Sequence, residues 1–198
     1  MFFQILCYNN FMDKENLLEN QGEQGVLEIE ILQGFDSKNL NDILMLEKEC
    51  FPAEWQYPDA EEYYRKVLEN KENVSIFLKE KEKSVGYILA KPFNSVVGEL
   101  REWDPELKED EKKFYIETIQ VLPAFQGKSG ARKLLIAACE EVLKRGFNEF
   151  AIHARTINRF NTKIKKMFGE GVILERKIEK WKPANNEPYE YIEWVYKK

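Results

Sequence analysis

The sequence predicts a single α/β (α+β) domain built on a mixed, mostly antiparallel, twisted sheet with helices on its faces. Segments with the two-residue periodicity of strands alternate with helical segments from residue 26 onward. Short polar turns also join some strands directly, which is typical of antiparallel hairpins. With 198 residues and 43% hydrophobic content, the chain can bury one substantial core. Residues 26–198 are therefore expected to form the domain, with residues 1–25 as an extension before it.

The predicted extension is polar over residues 12–25, which read MDKENLLENQGEQG. Such a composition favours a loosely ordered arm, and Met12 is an alternative candidate for the true start of the protein. The next residues, GVLEIEIL, alternate apolar and acidic side chains. This alternation predicts a half-buried first strand.

Two helices are predicted next. The first begins at Asp36 or Ser37, which serves as its N-cap, and ends before Pro52. The second follows Asp59, and Glu62 three residues later suggests a capping box.

A hairpin and a long connection occupy the middle of the chain. The strands NVSIFLKE and SVGYILAKPF are expected to pair around Lys81, Glu82 and Lys83. Residues 94–112 are strongly acidic with little periodicity, and a connection of this length favours a functional or mobile loop. The segment KFYIETIQVLP is the next predicted strand.

The last third of the chain predicts two helices and three strands. One helix carries its apolar face on Ala131, Leu134, Leu135, Ala138 and Val142, and Lys144, Arg145 and Gly146 end it. The strand FNEFAIHA and the short basic helix NRFNTKIKKMFG follow; the helix is expected to bury Phe160, Ile164 and Phe168. The segments GVILERKIEKW and PYEYIEWVYK are predicted to pair around a turn at residues 183–186.

Composition excludes several classes of function. The formal net charge of −5 disfavours a dedicated nucleic-acid binder. Cys7, Cys50 and Cys139 are far apart without CxxC spacing, so neither a metal site nor a disulfide framework is expected, and a reducing, cytoplasmic location is the simplest interpretation. No apolar run reaches the roughly 18 residues of a spanning helix, and the N-terminus lacks the basic region of a signal peptide, so no membrane partner is expected.

The stretch VLPAFQGKSGARKLL connects a predicted strand to a helix through small residues. A strand that turns into a helix in this way directs several unpaired backbone amides at one point, where the helix dipole adds partial positive charge. Small residues let an anion approach the backbone, and Lys128, Arg132 and Lys133 add charge. The turn alone is equally compatible with an ordinary strand-to-helix connection.

The context of this turn resembles the GNAT superfamily of acetyl-CoA-dependent N-acetyltransferases. In that family a strand ending in Val-x-Pro leads to an Arg/Gln-x-x-Gly-x-Gly/Ala turn, then a helix, a strand and a helix that starts at Asn and ends at Gly. Val121 and Pro123 match the strand end, Gln126 and Ala131 match the turn, and Asn158 and Gly169 match the last helix. The resemblance is specific over residues 113–169.

The resemblance implies that acetyl-CoA is the cosubstrate and that the turn holds its pyrophosphate. It also implies that strand backbone groups pair with the pantetheine arm. The implied cofactor-binding residues are Ile119, Gln120, Val121, Gln126, Gly127, Lys128, Ser129, Gly130, Ala131, Arg132 and Asn158. Ser129 stands where the family usually has glycine, so either its φ stays negative with the hydroxyl donating to phosphate, or cofactor binding is weakened. Cations of the basic helix and its approach, Arg155, Arg159, Lys163, Lys165 and Lys166, could lie near the nucleotide.

The resemblance also suggests catalytic residues. Transfer to an amine needs a general base, and no covalent intermediate is required. Glu117 is the first candidate, because a glutamate at this place serves as base in members such as the polyamine acetyltransferases; it shares a strand face with Val121 if no bulge intervenes. His153 is the second candidate, with a suitable ordinary pKa. A solvent-facing Glu117 and a structural His153 are the alternatives.

The general acid and the acceptor are less defined. Many members carry a tyrosine seven residues after the helix-heading Asn, where this chain has Lys165, so Tyr189, Tyr191 or water remain as proton donors. The acceptor is expected to be a small-molecule or peptide amine. Two acidic regions could attract it or could be solvated surface: the segment with Glu54, Asp59, Glu61 and Glu62, and the loop with Glu99, Glu102, Asp104, Glu106, Glu109, Asp110 and Glu111.

The sequence therefore predicts an acetyl-CoA-dependent amine N-acetyltransferase, monomeric or homodimeric, that uses no metal. An acyl-CoA-binding sensor of the same fold with little or no transferase activity is the main alternative. A nucleotide-binding domain that uses the same turn is a third interpretation.

Overall fold

A seven-stranded sheet forms the centre of the protein in a computed structural model that describes residues 25–51, 56–181 and 186–198. The strands are β1 (Leu27–Ile31), β2 (Val74–Glu80), β3 (Lys83–Pro92), β4 (Lys113–Val121), β5 (Glu149–Arg155), β6 (Val172–Trp181) and β7 (Glu187–Val195). Their order across the sheet is β1-β2-β3-β4-β5-β7-β6. Residues 1–24, with most of the predicted extension, and residues 183–185 of the predicted last turn lie outside the described residues.

The sheet is mixed, as the sequence predicts. Among the described strands, β4 and β5 run parallel and the other neighbouring pairs run antiparallel. The parallel pair is the one that a helix connects, because the chain must cross back over the sheet before β5 begins. The predicted hairpin forms between β2 and β3, and Lys81 adopts positive φ in its turn. The fold-class prediction is confirmed.

Five helices cover the two faces of this sheet within the described part of the chain. They are α1 (Ser37–Cys50), α2 (Ala60–Glu69), α3 (Val97–Leu100), α4 (Gly130–Lys144) and α5 (Phe160–Phe168). On one face, Glu47 of α1 and Tyr64 of α2 meet Tyr87 of β3. On the other face, α4 packs on β2, β3 and β4, and α5 packs on β5 and β7. The apolar stripe predicted for α4 is buried at Leu134, Leu135, Ala138 and Val142.

The two predicted helix starts differ in outcome. The carboxylate of Asp36 accepts hydrogen bonds from the backbone N–H groups of Lys38 and Asn39, so Asp36 is the N-cap of α1. The capping box predicted for α2 is wrong, because the side chain of Asp59 makes no capping hydrogen bond among the described residues. Glu62 instead pairs with Lys66 one turn further along α2, at 2.6 Å.

Strand β4 contains a bulge at Glu117. Leu89 of β3 pairs with Thr118 and the next residue, Ala90, pairs with Ile116, so Glu117 is an extra residue on the β4 side of the ladder. A bulge places two residues opposite one and re-aims the extra side chain. Regular alternation therefore breaks at Glu117.

Strands β4 and β5 separate just beside this bulge. Their pairing covers Lys113 to Tyr115 on β4 and Glu149 to Ala151 on β5. Beyond Tyr115 and Ala151 the two strands diverge, so a gap opens between them toward the carboxyl ends of both strands.

Gly86 is essential for the close packing of β3 on β4. A β-carbon built at Gly86 would lie 2.5 Å from the backbone oxygen of Gln120. We expect Gly86→Ala to lower the free energy of unfolding by about 1–3 kcal/mol, because the backbone must shift. Gly98→Ala is the matched control, since a β-carbon there meets open space on α3. Urea unfolding of both variants checks this, and equal stability of the two would contradict the packing argument.

Candidate active site

A cavity of about 560 Å³ lies between the β4–α4 turn and helix α5. The turn supplies one wall and the first half of α4 supplies another. Apolar side chains of α5 and its start form the far wall. The lining comprises Val121, Phe125, Gln126, Gly127, Ser129, Gly130, Ala131, Arg132, Leu135, Phe160, Lys163, Ile164, Lys166 and Met167. Six of the residues predicted to bind the cofactor in the turn therefore share one cavity.

The backbone of the turn is left-handed at two positions. Gly127 has φ +78° and Ser129 has φ +62°. The alternative in which Ser129 keeps negative φ is therefore excluded: the serine adopts the conformation that favours glycine, at a cost of about 1–2 kcal/mol for a residue with a β-carbon. Ser129 lies directly before α4, where the first helical amides have no partner within the helix.

Two other contacts fix the turn to the sheet. A β-carbon at Gly130 would lie 2.6 Å from Cδ2 of Leu78, so the absence of a side chain lets α4 start close against β2. The side-chain amide of Gln126 donates to the backbone oxygen of Val121 at 3.0 Å. Gln126 thus ties the end of the turn to the end of β4.

The cations near the cavity divide into two groups. Arg132, Lys163 and Lys166 line it and give it a positive wall. Arg155 forms a two-pronged pair with Glu187 at 2.5 and 2.6 Å instead. Only some of the cations that were predicted to lie near the nucleotide therefore line the cavity.

Two further cations contact side chains of the protein and are not part of the cavity lining. Lys165 lies 3.0 Å from both Glu175 and Glu190, and these hydrogen bonds raise its pKa. Lys128 extends its ammonium over the ring of Phe125, 5.2 Å from the ring centroid.

The strand residues predicted to bind cofactor lie on different faces. Val121 lines the cavity. Gln120 pairs with Tyr87 across the ladder, so its side chain belongs to the α1 and α2 face, and its amide has no hydrogen-bonding partner among the described residues. The side chain of Gln120 therefore lies on the face opposite the cavity. Ile119 is buried next to Ile88, and Asn158 accepts a hydrogen bond from the N–H of Phe160 at the start of α5.

The bulge moves Glu117 away from the cavity face. Its carboxylate is fully buried and lies 2.6 Å from Nζ of Lys91, which also donates to the hydroxyl of Tyr63 on α2. Glu117 therefore faces α1 and α2 rather than sharing a face with Val121. Burial raises the pKa of Glu117, and the nearby Glu47 raises it further. A raised pKa suits a general base. The shared face with Val121 was expected only in the absence of a bulge, and the bulge is present.

Glu47 forms a second buried acidic position beside Glu117. Its carboxylate accepts hydrogen bonds from the hydroxyls of Tyr64 and Tyr87, the latter at 3.1 Å. Burial raises the pKa of Glu47 to about 7, against the opposing effect of these hydrogen bonds. Glu47 lies on the buried face of α1, and its position in the sequence alone does not indicate a chemical role.

His153 is enclosed by the protein. Its Nε2 lies 3.0 Å from the carboxylate of Asp104 and its Nδ1 lies 2.9 Å from the hydroxyl of Tyr115, while its ring stacks on Trp181 at 4.2 Å. Burial lowers the pKa of His153. A neutral imidazole satisfies both contacts by donating to Asp104 and accepting from Tyr115. The geometry therefore supports a structural role rather than that of a base.

The acidic loop is partly an internal structural element. Asp104 is buried, and burial would raise its pKa, but hydrogen bonds from His153 and Arg176 outweigh this effect and the pKa is lowered. Glu106 and Glu109 are mostly exposed and pair with arginines of the same chain. The loop thus holds β5 and β6 together. Glu54 lies outside the described residues.

The tyrosines considered as proton donors are buried on β7. Tyr191 donates to Glu193 at 2.5 Å and packs on His153. Burial raises the pKa of both Tyr189 and Tyr191. These raised values make both hydroxyls weaker acids than an exposed tyrosine.

Three further findings concern metal ligands, membrane-spanning helices and cysteines. Over the described residues, no group of three His, Cys, Asp or Glu side chains is placed to hold a metal ion. No helix in this part of the chain is both long and apolar enough to cross a bilayer. Cys50 and Cys139 are buried, as expected of small hydrophobic residues.

The splayed parallel strands, the bulge and the amide-rich turn before a long helix define an acetyltransferase of the GNAT type. The model of the acetyltransferase (GNAT) family matches residues 40–168, and the chain belongs to this family. The resemblance deduced from the turn is confirmed.

Solved structures share the fold at low sequence identity. NAA60 of Arabidopsis thaliana in complex with acetyl-CoA has TM-score 0.61 and 14% identity, over 85% of this chain and 100% of that one. Naa50 of the same plant, bound to the bisubstrate analogue CoA-Ac-MVNAL, has TM-score 0.59 and 20% identity over 85% and 99%. The ribosomal-protein-S18-alanine N-acetyltransferase of Escherichia coli has TM-score 0.60 and 14% identity over 86% and 94%. No curated protein sequence matches significantly.

Ser129 provides a test of the turn. We expect Ser129→Gly to be between neutral and about 1 kcal/mol more stable, because glycine relieves the left-handed strain but costs entropy in the unfolded chain. Ser129→Ala is the matched control, since it removes the hydroxyl and keeps the β-carbon. Thermal unfolding and calorimetric titration with CoA check both variants. Clear destabilisation of Ser129→Gly would contradict the strain argument.

Glu47 makes stability depend on pH in a defined direction. Its pKa is raised from 4.5 to about 7, so the folded state holds the proton more tightly than the unfolded state. Raising the pH through this window therefore destabilises the protein, by about 3 kcal/mol from this group. We expect the free energy of unfolding of Glu47→Gln to fall less than that of the wild type as the pH rises. Urea unfolding across the window checks it, and parallel curves for both proteins would contradict the assignment.

Proposed function

We propose that the protein transfers the acetyl group of acetyl-CoA to a primary amine, with Glu117 as general base. The observation that carries this proposal is the position of a buried, ion-paired carboxylate at the inner end of a strand gap whose outer end opens at the amide-rich turn. The two ends match the two ends of the cosubstrate: an anionic pyrophosphate and a reactive thioester.

The turn and the lining cations suit the pyrophosphate. The amides at the start of α4 point into the cavity mouth, and Arg132, Lys163 and Lys166 add formal charge. The N–H of Leu122 donates to Val85 on β3, so by alternation the backbone groups of Val121 point toward the gap. This orientation supports pairing of the pantetheine arm along β4.

The length of the gap supports the placement of the thioester. Val121 and Glu117 are four residues apart, which is about 13 Å along a strand. An extended arm that starts at the turn and follows β4 therefore reaches the level of the bulge. Glu117 lies on the opposite face from the cavity, so the acceptor is expected to enter from the α1 and α2 side.

The chemistry that this arrangement supports is direct transfer. The acceptor ammonium loses a proton to Glu117, and the neutral amine attacks the thioester carbonyl carbon. The carbon–sulfur bond breaks, the nitrogen loses its second proton to water as the amide forms, and the thiolate of CoA takes up a proton. Because His153 is engaged on both nitrogens and Lys165 is held by two glutamates, water is the proposed proton donor to the thiolate.

A second function, binding of acyl-CoA without efficient transfer, is favoured by one observation. Glu117 is sealed from solvent by Lys91, so an acceptor amine must displace or pass this lysine. Release of CoA thiol measured across a panel of peptide and small-molecule amines distinguishes the two. Tight binding of acetyl-CoA with no amine-dependent release would support the sensor.

Glu117→Gln tests the base. We expect turnover to fall about 10²-fold or more with acetyl-CoA affinity little changed, because glutamine cannot take the proton. Glu179→Gln is the matched control, since Glu179 is exposed on β6 at the edge of the sheet. Steady-state kinetics and calorimetry give the two readouts, and circular dichroism verifies folding. Wild-type turnover in Glu117→Gln would refute the assignment.

A further inference from the structure

Lys91 is an amine buried beside the proposed base. Only 8% of the residue is exposed. Its Nζ lies 2.6 Å from Oε2 of Glu117 and 2.8 Å from the hydroxyl of Tyr63, and it stands 4.8 Å from the centroid of the Tyr63 ring. A lysine side chain usually extends its charged head into water, so this inward placement is unusual.

The contacts of Lys91 are those that an acceptor amine requires. A general base must lie within about 2.6–3.2 Å of the nitrogen whose proton it removes, and Lys91 meets this condition without any substrate bound. Burial also lowers the pKa of Lys91, although the negative charge of Glu99 opposes the shift. The burial effect makes the ammonium of Lys91 easier to deprotonate than that of an exposed lysine.

The position of Lys91 in the sheet brings it near the inner end of the gap. Lys91 pairs with Tyr115 across the β3–β4 ladder, and Tyr115 is the last residue of β4 that pairs with β5. The bulge at Glu117 begins two residues further along β4. The amine, the carboxylate and the inner end of the gap thus lie at one level of the sheet.

We propose that Lys91 is itself an acetyl acceptor, so that the protein acetylates this lysine in place when acetyl-CoA is bound. This inference rests on the proposed function. The nitrogen of Lys91 attacks the thioester carbonyl carbon, its extra proton passes to Glu117, and an amide bond forms. The carbon–sulfur bond breaks, and CoA leaves as the thiol after taking up one proton.

Burial makes the modification intramolecular. With so little of the side chain exposed, Lys91 is inaccessible to the active site of a second enzyme. Acetylation converts the ammonium to a neutral amide and so removes the ion-pair partner of Glu117. The acetylated protein is therefore expected to turn over external amines more slowly than the unmodified protein.

The test is incubation of the full chain with acetyl-CoA alone, followed by intact mass measurement and peptide mapping. We expect one added acetyl group, located on Lys91, to appear faster than acetylation of the exposed Lys66. Lys91→Arg keeps the positive charge and should lose this product. Glu117→Gln should slow it by about 10²-fold or more. A large excess of CoA should suppress it in the wild type, which gives a readout that needs no variant to fold.

The outcomes separate this inference from the proposed function. Acetylation of Lys91 that depends on Glu117 and is suppressed by CoA supports the inference. An unmodified Lys91, or acetylation at the rate of Lys66 and insensitive to CoA, overturns it. An amine panel assayed in parallel reports on the proposed function: transfer to an external amine with Lys91 unmodified rejects the self-acetylation alone, and absence of both products rejects both.

Discussion

The separation of β4 from β5 is the constraint on which the site depends. Parallel pairing holds the two strands together only as far as Tyr115 and Ala151, and beyond this point the backbone of each strand faces a gap. The helix that connects the strands must start at the mouth of this gap, which places its unpartnered amides beside the opening. The cavity and the position of the turn are consequences of one incomplete pairing.

The interior beside this gap contains several ionisable side chains, which are seldom buried in a hydrophobic core. Glu47, Glu117 and Lys91 are buried together with the hydroxyls of Tyr63, Tyr64 and Tyr87. A buried ion pair gives little net stability, because desolvation of the two charges offsets their attraction. Burial nevertheless shifts the carboxyl pKa values upward, toward the range in which a base works near neutral pH. The arrangement is therefore better explained by chemistry than by stability.

Local patterns in the sequence predicted most of the fold and the small-residue turn before α4. Features that depend on pairing between residues far apart in the sequence could not be predicted. Gln126 to Arg132 could be recognised because their amide geometry depends on a few consecutive residues. The face of Glu117 could not, since the bulge exists only in the register of β4 against β3. His153 read as a candidate base because its partner Asp104 lies on a loop that sequence proximity does not connect to it. The sequence left the backbone conformation of Ser129 open, because side-chain identity alone does not fix φ.

The extra residue in β4 is also the residue that carries the buried carboxylate, so the register of the strand and the position of that carboxylate depend on each other. Substitutions do not reveal this dependence. Because Glu117 is one residue more than the β3 ladder needs, deleting it would restore continuous alternation from Lys113 to Val121. The strand would pair more regularly and would lose its inward carboxylate in the same step. Deletion of this one codon therefore improves the pairing of β4 with β3 and removes the proposed base at the same time. At this position, insertions and deletions are more informative than side-chain replacements.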